Sequence, residues 1–321
     1  MTLTTPDLSP WDALADRLDP PKPGGERADP VSLAAYCDPH YEIRAHLRVI
    51  GAEFAALLRR DFDRLVINLP PQVGKSTTAV EWAAFWWLVR NPQARIVIGS
   101  YGDDLALTRG RAIRKLVRLY GRPFGLVVER GSDAVKDWRV TAGGGCRSVG
   151  IGSGIAGHPA DIIFIDDPVA SRADADSLRK RDITHDWYSA DLISRLSPGG
   201  RIVLVQTPWH VDDLRARILR DEGDRATGGA WRVVVMPAFA RDENDPLGRK
   251  IGEPLPQNAT AVRTTCPFPS KSLGSTSAGP AAQSNKSAPS LASPYLPDLQ
   301  NSEQKPISHQ QRRRICVDFH M

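Results

Sequence analysis

At 321 residues, 41% of them hydrophobic, the chain has room for two ordinary domains or one large α/β domain with extensions. Its net charge of +5 is local: seven Lys/Arg and three Asp/Glu follow Gln257, so the first 257 residues carry 35 basic and 34 acidic side chains, which excludes nucleic-acid binding by bulk charge and leaves only a patch. Four scattered cysteines, Cys37, Cys146, Cys266 and Cys316, have no metal-ligand spacing and no framework pattern; they fit a reduced, intracellular setting.

Residues 1–40, rich in Pro, Asp and Gly, read as a mostly irregular leader with no apolar core, and so not as a signal peptide. From Tyr41 to Arg60 a helical period places Leu47, Ile50, Phe54, Leu57 and Leu58 on one face. "RLVINL" (Arg64–Leu69) predicts a short buried strand, broken by "PPQVGKS". Helical spacing resumes after Lys75, with Trp82, Phe85, Trp86 and Val89 as a core stripe. This most apolar stretch contains Glu81 and is too short to cross a bilayer. "ARIVIGS" (Ala94–Ser100) predicts the next strand, and a helix follows over 103–120. "WRVTAGGGCRSVGIG" (Trp138–Gly152) predicts a hairpin, "DIIFIDD" (Asp161–Asp167) a strand ending in paired acids, and 174–196 a polar helix. "SPGG" reads as a turn into the strand "RIVLVQT" (Arg201–Thr207). A short helix "VDDLRARIL" and a last strand over Trp231–Phe239 complete the body.

Continuous apolar strands alternating with helices predict an α/β fold with a mostly parallel sheet covered on both faces. The order is that of a P-loop NTPase with an extra strand between the phosphate-loop strand and the acid-bearing strand. Gly74-Lys75-Ser76 follows a strand and opens a helix, where backbone N–H groups and the helix dipole favour phosphate. Lys75 is then placed to reach the β- and γ-phosphates of ATP and Ser76 to hold Mg²⁺, with Pro71, Gln72, Val73 and Thr77 completing the ATP-binding loop. In the ATPase reading Asp166 holds the Mg²⁺, directly or through water, and Asp167 orients or deprotonates the attacking water. Gln206 and Thr207, at the end of the neighbouring strand, are candidate sensors of the terminal phosphate. The bland alternatives are a surface loop capped by Ser76, acids capping a turn before Pro168, and ordinary strand-end polar residues.

Four stretches taken together, "LPPQVGKS", "GSYGDDLA" (Gly99–Ala106), "GSGIAGHPADIIFIDDP" (Gly152–Pro168) and "QTPWHVDDL" (Gln206–Leu214), resemble the ATPase domain of phage terminase large subunits. A fifth, Met236–Pro256, looks like the end of that domain, so the resemblance covers roughly residues 40–256. Such proteins commonly have a proline-led phosphate loop without the first glycine, as at Leu69-Pro70-Pro71. The resemblance implies ATP-driven translocation of double-stranded DNA into a capsid. Implied partners are the portal protein and the small terminase subunit, with a homo-oligomeric ring on the portal. The implied setting is the bacterial cytoplasm, with no membrane. It also implies a coupling role for Thr207–His210. Two departures stand out: Gln72 occupies a position where the family often has a catalytic Arg, and Pro208 replaces another Arg. Arg139, Arg147 or Arg195, from this subunit or a neighbour, are candidates to compensate.

The family usually continues into a nuclease domain. Here residues 258–321, rich in Ser, Pro, Asn and Gln, read as a disordered tail after an ATPase domain over 41–257, either natural or from a truncated or frame-shifted gene. Their acids, Asp298, Glu303 and Asp318, make no two-metal pattern, so nuclease activity is not expected of this chain. Arg111, Arg114, Lys115 and Arg118 share a helical face able to grip DNA phosphates, or to stand as a solvated face. His46 is placed to touch adenine or to pack. The rival readings are a superfamily 2-like helicase, which needs a second RecA-like domain, and a non-catalytic prophage remnant that binds DNA or the small subunit.

Overall fold

In a computed structural model, residues 25, 27–131, 134–155 and 157–256 are described. The disordered-tail expectation for 258–321, and that for the first 24 residues of the leader, lie outside them.

The strands are β1 (Arg64–Asn68), β2 (Arg95–Ser100), β3 (Asp137–Arg139), β4 (Gly145–Gly150), β5 (Ala160–Asp166), β6 (Leu196–Gln206) and β7 (Trp231–Val235). They form one sheet in the order β3-β4-β2-β5-β6-β1-β7. Every pairing is parallel except the β3–β4 hairpin. The helices are α1 (Pro30–Cys37), α2 (Ala45–Arg59), α3 (Ala83–Arg90), α4 (Asp103–Tyr120), α5 (Arg172–Asp176), α6 (Leu178–Asp186) and α7 (Leu214–Glu222). A mostly parallel sheet flanked by helices is consistent with an α/β NTPase-like fold.

Strand alternation builds two cores. Leu65, Ile67, Ile96, Ile98, Ile162, Phe164, Val203 and Val205 face one side, under α1–α4. Val66, Val97, Ile163, Ile165, Ile202 and Leu204 face the other, with Trp187, Leu192, Leu214 and Ile218. β6 lies between β5 and β1, so the acid-bearing strand is separated from the loop-bearing strand by the inserted one, as the sequence order implies.

Three expectations are corrected. The 1–40 leader is not irregular throughout: Pro30 starts α1, Asp29 caps it by accepting from the Val31 and Ser32 amides, and Leu33 and Ala34 join the core. The 174–196 helix is broken at Ser177, which ends α5 and caps α6, and it continues as a π-helical turn, Trp187–Leu192. "SPGG" is part of β6, absorbed by a register irregularity against β5.

Candidate functional site

The loop after β1 is shaped by its prolines. Pro71 fixes one turn dihedral, Gln72 then adopts φ 62°, and Gly74 adopts φ +82°. A left-handed Gln is uncommon, and Asp167 (φ 42°), at the end of β5, is the second such residue here. Lys75 opens a helix that passes through a π-helical turn (Thr77–Trp82) into α3. His46 on α2 supports the loop from below: its buried Nε2 lies 2.9 Å from the Val73 carbonyl. Because a carbonyl only accepts, Nε2–H is the donor. Burial lowers the His46 pKa to about 4, against a lesser upward pull from that hydrogen bond.

The loop and the acid strand meet above the sheet. Ser76 Oγ donates to Asp166 Oδ1 at 2.8 Å, and Lys75 Nζ donates to Asp167 Oδ2 at 2.5 Å. Asp167 Oδ1 accepts the Thr207 amide at 3.1 Å, which ties the end of β6 to the same carboxylate. Asp166 is fully buried, and its other oxygen accepts from Arg109 Nε at 2.7 Å. Arg109 Nη1 donates to Glu81 Oε1 at 2.7 Å. Burial raises the pKa of both Asp166 and Glu81, and Arg109 offsets part of that rise in each. Lys75, Ser76, Arg109, Asp167 and Thr207 border a cleft of about 350 Å³, lined also by Gln72, Tyr101 and Trp209, with Asp166 buried beneath it.

Arg109 and Glu81 are the residues that reading the sequence missed. Glu81 is the single acid in the apolar run Ala79–Val89, and a carboxylate buried there requires a partner. That requirement was the available signal. Arg109 is carried over the end of β5 by α4, which lies close to β4: a Cβ on Gly110 would stand 2.2 Å from Ser148 Oγ.

Other expected site residues fall elsewhere. His46 is 1% exposed, so its ring braces the loop and presents no face to a base. Of the coupling stretch, Thr207 and Trp209 border the cleft, whereas Gln206 and His210 do not. Gln206 is buried, with its amide given to Asp213 Oδ2 at 2.8 Å. His210 turns into its own loop to accept the Asp212 amide, and it lines a neighbouring pocket of about 190 Å³. Within this chain the three compensating arginines are misplaced. Arg195 precedes Leu196, which pairs with Ala160 at the far end of β5, roughly 20 Å of strand from Asp166. Arg139 pairs with Gly145, at the start of β4, and Arg147 is bonded to Asp137. On α4, Arg111, Lys115 and Arg118 are exposed and Arg114 is half-buried.

The donor set suits Mg²⁺. No group of three or more His, Cys, Asp or Glu side chains poised for a metal occurs among the described residues. Mg²⁺ asks for less: one or two protein oxygens, the rest coming from phosphate and water. Asp166 and Ser76 offer two adjacent hard oxygens. No helix among the described residues is long and apolar enough to cross a membrane.

No protein-family model matches the chain, and no curated protein matches it. Among solved structures, the large terminase of bacteriophage HK97 is similar at 12% identity and a TM-score of 0.44, over 69% of this chain and 47% of that one. A large terminase from a thermophilic bacteriophage, in complex with ADP, is similar at 11% identity and a TM-score of 0.34, over 55% of this chain and 40% of that one. The chain thus spans less than half the length of either, and the weak likeness extends to terminase ATPase domains and to nothing more specific.

Proposed function

We propose that the cleft binds Mg²⁺·ATP and hydrolyses it, as the motor domain of a terminase-like DNA translocase. The observation that carries this reading is the Ser76–Asp166 hydrogen bond, which joins a loop hydroxyl to a buried acid 90 residues away at 2.8 Å. In this reading the loop of Pro71–Thr77 is a P-loop whose amides and helix N-terminus cradle phosphate. Lys75 moves from Asp167 to the β- and γ-phosphates, because a triphosphate offers it more negative charge than one carboxylate. That move frees Asp167 to hold the attacking water. Ser76 and Asp166 hold the metal, which when bound supplies charge neutralisation at the phosphates. The water oxygen bonds to the terminal phosphorus as the bond to the bridging oxygen breaks. The electron pair leaves with ADP, and the water proton passes to Asp167 and on to phosphate or solvent.

Thr207, bonded through its amide to Asp167, couples the site to β6. Gln206 and His210 belong to this coupling only at one remove, through Asp213 and the 207–213 loop. The motor unit is proposed to run from about Asp29, since α1 is part of the core, to residue 257. Double-stranded DNA along the exposed face of α4, a portal, a small subunit and a ring of copies are the partners this reading calls for.

Measuring ATP turnover with and without double-stranded DNA tests the proposal. DNA-stimulated turnover supports a translocase. Nucleotide binding with no turnover under either condition supports a non-catalytic binding role.

A further inference from the structure

Arg109 holds an unusual position. It bridges the buried acid of the site and a half-buried acid, Glu81, on the π-helical turn that leads into α3, yet its side chain stays 20% exposed and borders the same cleft as Lys75 and Ser76. It shares the Asp166 carboxylate with Ser76, one on each oxygen, and so stands within a side chain's length of any metal or phosphate that Ser76 touches. The loop supplies no arginine, since Gln72 stands there with its backbone left-handed. Lys75 and Arg109 are the two cations facing three anions, Glu81, Asp166 and Asp167. Removing Arg109 would leave two excess negative charges where a polyanion must bind.

We propose that Arg109 is the arginine that contacts the terminal phosphate of the bound nucleotide, and that Glu81 is the positioning residue that keeps it over the cleft. This rests on the reading of the cleft as a Mg²⁺·ATP site. If Asp166 turned from Arg109 to hold Mg²⁺ with Ser76, the Nη1–Glu81 bond would serve as a pivot and the freed N–H donors of Arg109 could swing toward phosphate oxygens. Guanidinium matches phosphate with paired donors, which a lysine cannot reproduce. Arg109 makes and breaks no covalent bond. It adds hydrogen bonds where charge accumulates. Glu81 acts through Arg109, not on the nucleotide. α4 carries Arg109 inward and Arg111, Lys115 and Arg118 outward, so a change at the terminal phosphate has a direct route to the exposed basic face.

The test uses the full chain with Mg²⁺, titrating ATP and ADP against the wild type and against Arg109→Lys, Arg109→Gln, Glu81→Gln and Lys75→Ala, with a urea unfolding midpoint for each. The expected result is selective. Arg109→Lys loses about tenfold or more of the preference for ATP over ADP while its ADP affinity stays within about twofold; Arg109→Gln loses the same preference and, lacking the charge, also binds both nucleotides more weakly. Glu81→Gln loses a smaller part of the same preference. Arg109→Lys keeps a cation beside Asp166, so it decides the matter if Arg109→Gln fails to fold. Equal losses for ATP and ADP in Arg109→Lys, or an unchanged ATP preference, would overturn the assignment. If Lys75→Ala nevertheless abolished binding, the ATP-site reading would survive that failure. If the wild type bound neither nucleotide, both would fall together.

Discussion

His46 makes the phosphate-loop support testable through pH. The ring is neutral and buried, with Nε2–H committed to the Val73 carbonyl. Protonation would add a charge and an Nδ1–H away from solvent, near the cations Arg44 and Arg249, which lower the pKa further after burial has done most of it. The folded value of about 4 lies below the ordinary 6.5, so the unfolded chain binds the proton first. The stabilisation is therefore complete above the ordinary pKa and is lost as the pH falls toward the folded value. The full gap corresponds to about 3 kcal/mol, of which about 2 kcal/mol is gone by pH 5. Urea unfolding of wild type and His46→Gln at pH 7 and pH 5 isolates this part. The Gln amide can still donate to Val73 but does not titrate. The wild type is expected to lose about 2 kcal/mol more than the variant over that interval. Parallel losses in the two proteins would refute the buried, neutral brace.

Other perturbations separate the roles around the cleft. Asp167→Asn should keep ATP bound yet cut turnover by about 100-fold or more, whereas Asp166→Asn should weaken the Mg²⁺-dependent part of binding; equilibrium titration and single-turnover hydrolysis distinguish them. Gly110→Ala should destabilise the fold by roughly 1–3 kcal/mol in urea, because its Cβ meets Ser148 Oγ at 2.2 Å. Arg111→Ala and Lys115→Ala, on the exposed face of α4, should each reduce DNA stimulation of turnover and lower the salt slope of DNA binding by about one, without changing ATP affinity.

How much was legible in the sequence follows from what each residue depends on. The strands were legible because alternation alone sends Leu65 and Ile67 to one core and Val66 to the other. The loop and the acid pair were legible because strand, Gly-Lys-Ser and helix are contiguous, and their closure at Ser76–Asp166 follows from a parallel sheet that brings strand ends together. α1 was missed although Asp29-Pro30 carries a cap and a first-turn proline, since the surrounding Pro and Gly drown that signal. The Arg109–Asp166 pair depends on β2 lying beside β5, and the Arg109–Glu81 pair on α4 packing against the Thr77–Trp82 turn, facts of strand order and packing that no local window contains. Helical spacing drew attention instead to the four exposed or half-buried basic residues on the other face of α4. Gln206 looked like a site residue by adjacency and His210 through the resemblance, but Asp213 and Asp212 engage them within the 206–213 segment.

Mg²⁺-dependent ATP binding and turnover by wild type and Lys75→Ala, measured side by side, bear most directly on the cleft as a nucleotide site. Lys75 is 8% exposed at its side chain, at the start of the helix, and bonded to Asp167. Its loss should leave folding intact, remove the cation facing the phosphates, and cost about 100-fold or more in ATP affinity together with all measurable hydrolysis. Wild-type affinity and turnover in a folded Lys75→Ala protein would contradict it.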